Sequence, residues 1–281
     1  MRILITGAGG MLGFDVRRAV DGAGHEGLAL TRAQLDITDT VATADAVRDA
    51  RPDAVINCAA WTDVDGAETH AAEASAVNGT GAGNVAAAAA AAGAWLVHVS
   101  TDYVFDGAKP QPYVESDPVD PMSAYGRSKL EGERAVAAAA PEAHTIVRTA
   151  WLFGAGGKCF PKTILRAAAQ RPELTVVADQ VGSPTFTGHL APALVELAAQ
   201  RVPGVLHVAG AGRCSWYELA VAVVAAGGVD CPVRPISTDE YPLPARRPAN
   251  SVLVSERGAP ALPDWRLGLK DFMSEPAEVS A

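Results

Sequence analysis

The sequence lacks the features that would place it in several large protein classes. It has only four cysteines, Cys58, Cys159, Cys214 and Cys231, scattered with no CxxC pair and no His-rich ligand spacing. Neither a disulfide framework nor a zinc module follows from them, and free thiols in a reducing compartment are expected. Positive charge is also short. The formal net charge of −9 argues against general affinity for nucleic acid, although a few local cations or backbone N–H groups suffice for a small phosphate-bearing ligand. No apolar run reaches membrane-spanning length. Met1-Arg2 leads directly into a strand-like run without a secretory pattern, so the expectation is a cytoplasmic protein with no membrane partner.

What is present is a globular composition, 49% hydrophobic and 20% charged over 281 residues. That length holds one large α/β domain, or a nucleotide-binding domain with a smaller lobe, without metal or disulfide staples. Short apolar runs at Arg2–Thr6, Gly27–Leu30, Ala54–Cys58, Trp95–Ser100 and Thr145–Arg148 read as buried strands. Helical stretches alternate with them near Met11–Val20, Thr43–Ala50, Ala71–Ala92 and Ala124–Ala140. This rhythm predicts an α/β fold, a Rossmann-type doubly wound parallel sheet with helices on both faces.

After about residue 150 the rhythm loosens, with glycine and proline clustered at Gly154–Pro161, Gly182–Pro184 and Pro242–Pro248. Further strands are expected at Leu174–Ala178 and Val205–Ala209, and helices near His189–Ala199 and Ser215–Ala226. The expected division is a dinucleotide-binding domain over 1–153 and a smaller C-terminal substrate-binding lobe over 154–281. Segments near 174–178 and 204–210 are expected to return to the main sheet. Gly154–Pro161 is the candidate for a loop that closes over a ligand.

Glycines at 7, 10 and 13 follow the first strand directly. Gly7 permits the tight turn, Gly10 lets a pyrophosphate approach the backbone, and Gly13 lets the helix sit close on the sheet. The helix N-terminus, entered through Met11 and Leu12, offers free N–H groups to phosphate. The second strand ends Leu30-Thr31-Arg32 with no acid at its tip. A 2′-phosphate pairing with Arg32 therefore favours NADPH, with NADH possible. Asp36 and Ile37 are placed to border the adenine.

Tyr125 and Lys129 lie four residues apart on a predicted helix and so share a face. Ketone reduction needs a proton donor at oxygen, and a neighbouring ammonium is expected to lower the phenol's pKa from its usual ~10. Lys129 is also placed to donate to the cofactor's ribose. Ser100 and Thr101 close the fourth strand, at the sheet end where ligands bind, and a hydroxyl there polarises a carbonyl.

Together these segments resemble the extended short-chain dehydrogenase/reductase family and, within it, the branch that reduces dTDP-4-dehydrorhamnose. The similarity includes Asn57–Asp65, Ser100–Phe105, Arg148–Trp151, Asp179–Thr185, Arg247–Ser251 and Leu262–Trp265. It implies Thr101, Tyr125 and Lys129 as the catalytic set, with Tyr125 as proton donor. Ala59 and Ala60 would be small to let the cofactor pass. Val64, Asp65, Thr101, Asp102, Tyr125 and Trp151 would address the substrate, with Trp151 packed on the deoxysugar. Arg247 and Asn250 would meet the nucleotide end of a dTDP-linked ketosugar, Arg247 on the diphosphate.

Two departures stand out. Cys159 precedes Phe160 where the family usually has Asn-Phe. Asp15 and Gly188 stand where some members carry metal-binding glutamates, so no required metal is expected, and the chain would be a monomer or weak homodimer. The competing readings are a C4 reductase for another dTDP-ketosugar, a non-catalytic NADP-binding regulatory subunit, and an epimerase with tightly held NAD.

Overall fold

The computed structural model describes residues 1–275. The apolar runs of the first half form parallel strands β1 (Arg2–Thr6), β2 (Glu26–Leu30), β3 (Ala54–Asn57), β4 (Trp95–Thr101) and β5 (His144–Thr149). Between them run α1 (Met11–Gly22), α2 (Thr40–Ala50), α3 (Ala71–Ser75), α4 (Ala82–Ala91) and α5 (Ala124–Ala139). The second half contributes β6 (Leu152–Phe153), α6 (Phe160–Ala168), β7 (Leu174–Val177), β8 (Val181–Gly182) and β9 (Thr185–Phe186). It continues with α7 (Thr187–Gln200), β10 (Gly204–His207), β11 (Cys214–Ser215), α8 (Trp216–Ala226), β12 (Val233–Ile236) and α9 (Trp265–Ser274).

The main sheet runs β10-β5-β4-β3-β1-β2. Strand order reverses at β1, which lies between β2 and β3, so a crevice opens beyond the carboxyl ends of β1 and β3. Alternate strand residues feed opposite faces. Ile3 and Ile5 pack with Val16 and Val20 of α1 and Leu190 and Leu194 of α7. Leu4, Val55, Leu96 and Ile146 pack with Val85, Ala86 and Ala89 of α4. The alanine run therefore lets α4 sit close on the sheet.

Three departures from the sequence reading have physical causes. The helix expected over 71–92 is interrupted by a π-helical turn at Ala76–Gly81. There α5 comes so close that a Cβ on Gly132 would lie 2.1 Å from the Asn78 carbonyl oxygen. Gly204–His207 pairs with β5 in the main sheet, but Leu174–Val177 does not return to it; it pairs with β12 in a separate two-stranded sheet. Its apolar alternation is satisfied by the second core instead, where Leu174 and Val176 meet Leu219 and Val223. The Gly/Pro-rich stretch gives way to α6 earlier than its composition suggests, because Pro161 sits in the first helical turn, where no N–H is needed.

Apart from Phe153, the buried residues of that second core, among them Phe186, Trp265 and Phe272, fall within 154–281. Positions 276–281 of that expected lobe lie outside the described residues. No helix among the described residues is long and apolar enough to cross a membrane.

Candidate active site

The glycine loop is shaped by backbone approach. Gly7 has φ +68°, and a Cβ there would lie 2.5 Å from the Ala59 nitrogen. A Cβ on Gly13 would lie 2.3 Å from the Gly7 carbonyl oxygen. Gly10 is the N-cap of α1 and makes no side-chain cap, so the first helical N–H groups remain open to an anion. Behind the loop, Thr6 Oγ1 donates to Asn57 Oδ1 at 2.7 Å, and the Ala59 N–H donates to the same oxygen at 3.1 Å. This buried network sets the path of the chain from Asn57 through Ala59 and Ala60.

A cavity of about 970 Å³ extends from this loop. Gly7, Gly10, Met11, Leu12, Gly13, Arg32, Asp36, Ile37, Ala59 and Ala60 all border it. Open helix N–H groups, a glycine turn and Arg32 at the rim form a donor set that fits a nicotinamide dinucleotide. At the far end the Asp36 carboxylate accepts from the Thr38 N–H at 3.0 Å and the Thr38 hydroxyl at 2.8 Å. These bonds hold it below the usual carboxylate range. Ile37 is buried, with its Cδ1 against Gly81.

At the other end, α5 presents Tyr125 and Lys129 to the same cavity. Ser123 caps the helix by accepting from the Gly126 N–H at 3.1 Å. A Cβ on Gly126 would lie 2.2 Å from the Tyr103 carbonyl oxygen, so this helix end sits directly on the turn after β4. Thr101 borders the same cavity; its hydroxyl donates to Asp102 Oδ1 at 2.9 Å and accepts from the Tyr103 N–H at 3.2 Å. Lys129 Nζ donates to the Val99 carbonyl at 2.7 Å. Burial pulls Lys129 down to about 8, while Glu133 and Cys58 act in the opposite direction.

For Tyr125 the sequence reading expected a lowered pKa. In the folded chain burial dominates and pushes the phenol up to about 12, against a smaller lowering by the nearby Thr101 hydroxyl. The phenol therefore holds its proton at neutral pH. Burial likewise raises Asp102 to about 6.

Ser100 borders the cavity, but its hydroxyl turns away and donates to Glu133 Oε1 at 2.6 Å. Val64, Asp102 and Trp151 also border the cavity. Asp65, Arg247 and Asn250 do not: Asp65 and Arg247 form a bidentate pair at 3.0 and 2.7 Å. The Asn250 amide donates to the Lys109 and Gln111 carbonyls at 2.7 and 2.9 Å. Cys159 is buried, with its thiol 3.7 Å from the Gly154 carbonyl.

Sequence reasoning missed several side chains in the wall, Trp216 and Tyr103 among them. Trp216 stacks on Trp151 with ring centroids 3.5 Å apart and planes 4° from parallel, while Trp151 itself adopts φ +47°. The signal for Trp216 was the Ser215/Glu218 capping box, which places it in the first turn of α8. Tyr103 lies edge-on to Tyr125, centroids 5.6 Å apart. It lies within the Ser100–Phe105 stretch that carries the resemblance, but was given no role there. Gly156, Gly157 and Lys158, from the loop before α6, also border the cavity.

A parallel sheet with a glycine turn at its switch point, and a Thr/Tyr/Lys set at the same cavity, define an NAD(P)-dependent oxidoreductase of the short-chain dehydrogenase type. The chain belongs to the RmlD substrate binding domain family, whose model matches residues 1–277. It is 49% identical over 283 residues to dTDP-4-dehydrorhamnose reductase of Mycolicibacterium smegmatis, covering 97% of this chain and 85% of that protein. The solved dTDP-4-dehydrorhamnose reductase of Clostridium acetobutylicum superposes with TM-score 0.93 at 42% identity, covering 97% of this chain and 98% of that one. The Bacillus anthracis enzyme, solved in complex with NADP, gives TM-score 0.93 at 37% identity, covering 96% and 98%. Among the described residues, no group of three or more His, Cys, Asp or Glu side chains is placed to hold a metal ion.

Proposed function

We propose that this chain reduces the C4 ketone of dTDP-4-dehydro-L-rhamnose to dTDP-L-rhamnose with NADPH, in the cytoplasm, as a monomer or weak homodimer. The observation that carries this reading is the convergence of Thr101, Tyr125 and Lys129 on the cavity that begins at the glycine loop. Gly10 and the first turn of α1 would hold the cofactor's pyrophosphate, Arg32 its 2′-phosphate and Lys129 its ribose. When bound, NADPH supplies the hydride that reaches C4. Tyr125, still protonated at neutral pH, gives its proton to the C4 oxygen. The Lys129 ammonium stabilises the phenolate left behind. Thr101 keeps the Tyr125 hydroxyl aimed at that oxygen, and the Trp151–Trp216 stack walls the apolar side of the deoxysugar.

The test is NADPH oxidation with dTDP-4-keto-6-deoxyglucose, with and without a 3,5-epimerase. Consumption that requires the epimerase is the expected result. Consumption without it would assign the unepimerised ketosugar, and none with either would overturn the reading. Cofactor choice is tested separately. Arg32→Ala is expected to weaken NADPH at least about tenfold and leave NADH unchanged, since one charge-assisted contact to phosphate contributes about 1.5–3 kcal/mol. Equal affinities for NADPH in the two proteins would remove the 2′-phosphate role.

A further inference from the structure

We propose that Glu133, with Arg148 and Ser100, is a positioning residue for the reduction, locking α5 against β4 and keeping the Lys129 ammonium charged beside Tyr125. The inference rests on the reading of Tyr125 and Lys129 as the reacting pair. Tyr125, Lys129 and Glu133 occupy one face of α5 on successive turns, and each engages β4. Tyr125 meets Thr101, and Lys129 Nζ donates to the Val99 carbonyl at 2.7 Å. The Ser100 hydroxyl donates to Glu133 Oε1 at 2.6 Å. Consecutive residues of the strand are thus held by consecutive turns of the helix, and a slip of either would move Thr101 relative to Tyr125.

Strand β5 completes the lock. Arg148, paired in register with Ser100, donates from Nε to Glu133 Oε1 at 2.9 Å and from Nη2 to Oε2 at 2.7 Å. Both side chains of this bidentate pair are only 6% exposed. Such a pair is weak evidence of stability, because apolar replacement of both partners is often neutral or stabilising. Its geometric and electrostatic consequences for Lys129 give it a use.

The groups whose charges act on Lys129 come from each packed element. Glu133 lies on its own helix, Cys58 follows β3, and His98 lies on β4. Burial holds His98 well below its ordinary pKa, hence neutral, and raises the Cys58 thiol to about 12. Glu133 is therefore the carboxylate that opposes the burial of Lys129. Without it Lys129 loses its proton at lower pH, and the ammonium needed by the phenolate is depleted from the alkaline side.

The experiment uses the full chain. In Glu133→Gln the alkaline limb of kcat/KM is expected to move down by about one pH unit, roughly a tenfold loss on the alkaline side of the limb. kcat should fall more than KM rises, and Glu133→Asp should restore most of the limb. A readout without turnover follows the ¹³Cε shift of Lys129 against pH in labelled protein. The chain has five lysines, and Lys129→Met assigns the resonance. If Glu133→Gln does not fold, Glu133→Gln/Arg148→Met removes both charges of the buried pair, so that no guanidinium is left unpaired, and its Lys129 titration must still move down. A folded variant whose Lys129 titration and alkaline limb match the parent would overturn the proposal. If the parent oxidises no NADPH with any 4-ketosugar, the functional reading fails, while the Lys129 titration still decides the electrostatic role of Glu133.

Discussion

Tyr125→Phe is expected to lower turnover by at least ~10²-fold with little change in NADPH affinity, the scale of losing a general acid. The substitution isolates the hydroxyl. Tyr125 sits edge-on to Tyr103 at 5.6 Å, and a phenyl ring keeps that packing. Loss of one hydroxyl costs at most about 1 kcal/mol, so the melting temperature should change only slightly. Burial has already raised the phenol to about 12, so the parent enters the reaction with its proton in place across the neutral range. Steady-state rates with the epimerase-coupled ketosugar and fluorescence titration of NADPH measure the two quantities separately. Near-normal turnover would refute the role of Tyr125; equal losses of turnover and NADPH affinity would reassign it to cofactor binding.

Gly13→Ala should abolish most cofactor binding by a different route. A methyl at residue 13 would lie 2.3 Å from the Gly7 carbonyl oxygen and 2.7 Å from the Ala8 Cα. Both are backbone atoms that cannot rotate aside, so α1 must lift off the loop. Overpacking of this kind costs about 1–3 kcal/mol, and it displaces the N–H groups that would face the pyrophosphate. The expectation is a lower melting temperature together with at least a tenfold loss of NADPH affinity, on the order of one lost charge-assisted contact. Gly9→Ala is the control for folding, because its nearest neighbour would be the Thr31 methyl at an ordinary 3.5 Å. An equal drop in melting temperature for both variants would show that the close approach at Gly13 is not the cause.

Much of the first half was legible because its signals are local. Five apolar runs bounded by turns became five strands, and the alternation of strand and helix already implied parallel pairing with covered faces. In the second half, β6, β8, β9 and β11 each span two residues, too short for any periodicity to register. Helix α6 was hidden by the Gly/Pro composition around it. Helix α9 follows Asp264, whose carboxylate accepts from the Arg266 N–H at 2.9 Å; that cap was readable, but the sequence reading did not use it.

The site divides in the same way. Glycine spacing after a strand and a Tyr/Lys pair at i, i+4 are determined by the sequence itself, since turn geometry and helical pitch place those groups whatever the rest of the chain does. Which partner a side chain takes across the fold is decided by tertiary structure. Ser100 looked like a strand-end hydroxyl facing ligand, yet the pleat directs it to Glu133 on α5. Arg247 looked free for a diphosphate, yet Asp65, 182 residues away, holds it. Trp151 meets Trp216 only because the second core brings the start of α8 over the end of β5. Local periodicity fixes the face on which a residue lies, whereas contacts between distant segments depend on strand register and on how two cores close around one cavity, and no short window of sequence contains those.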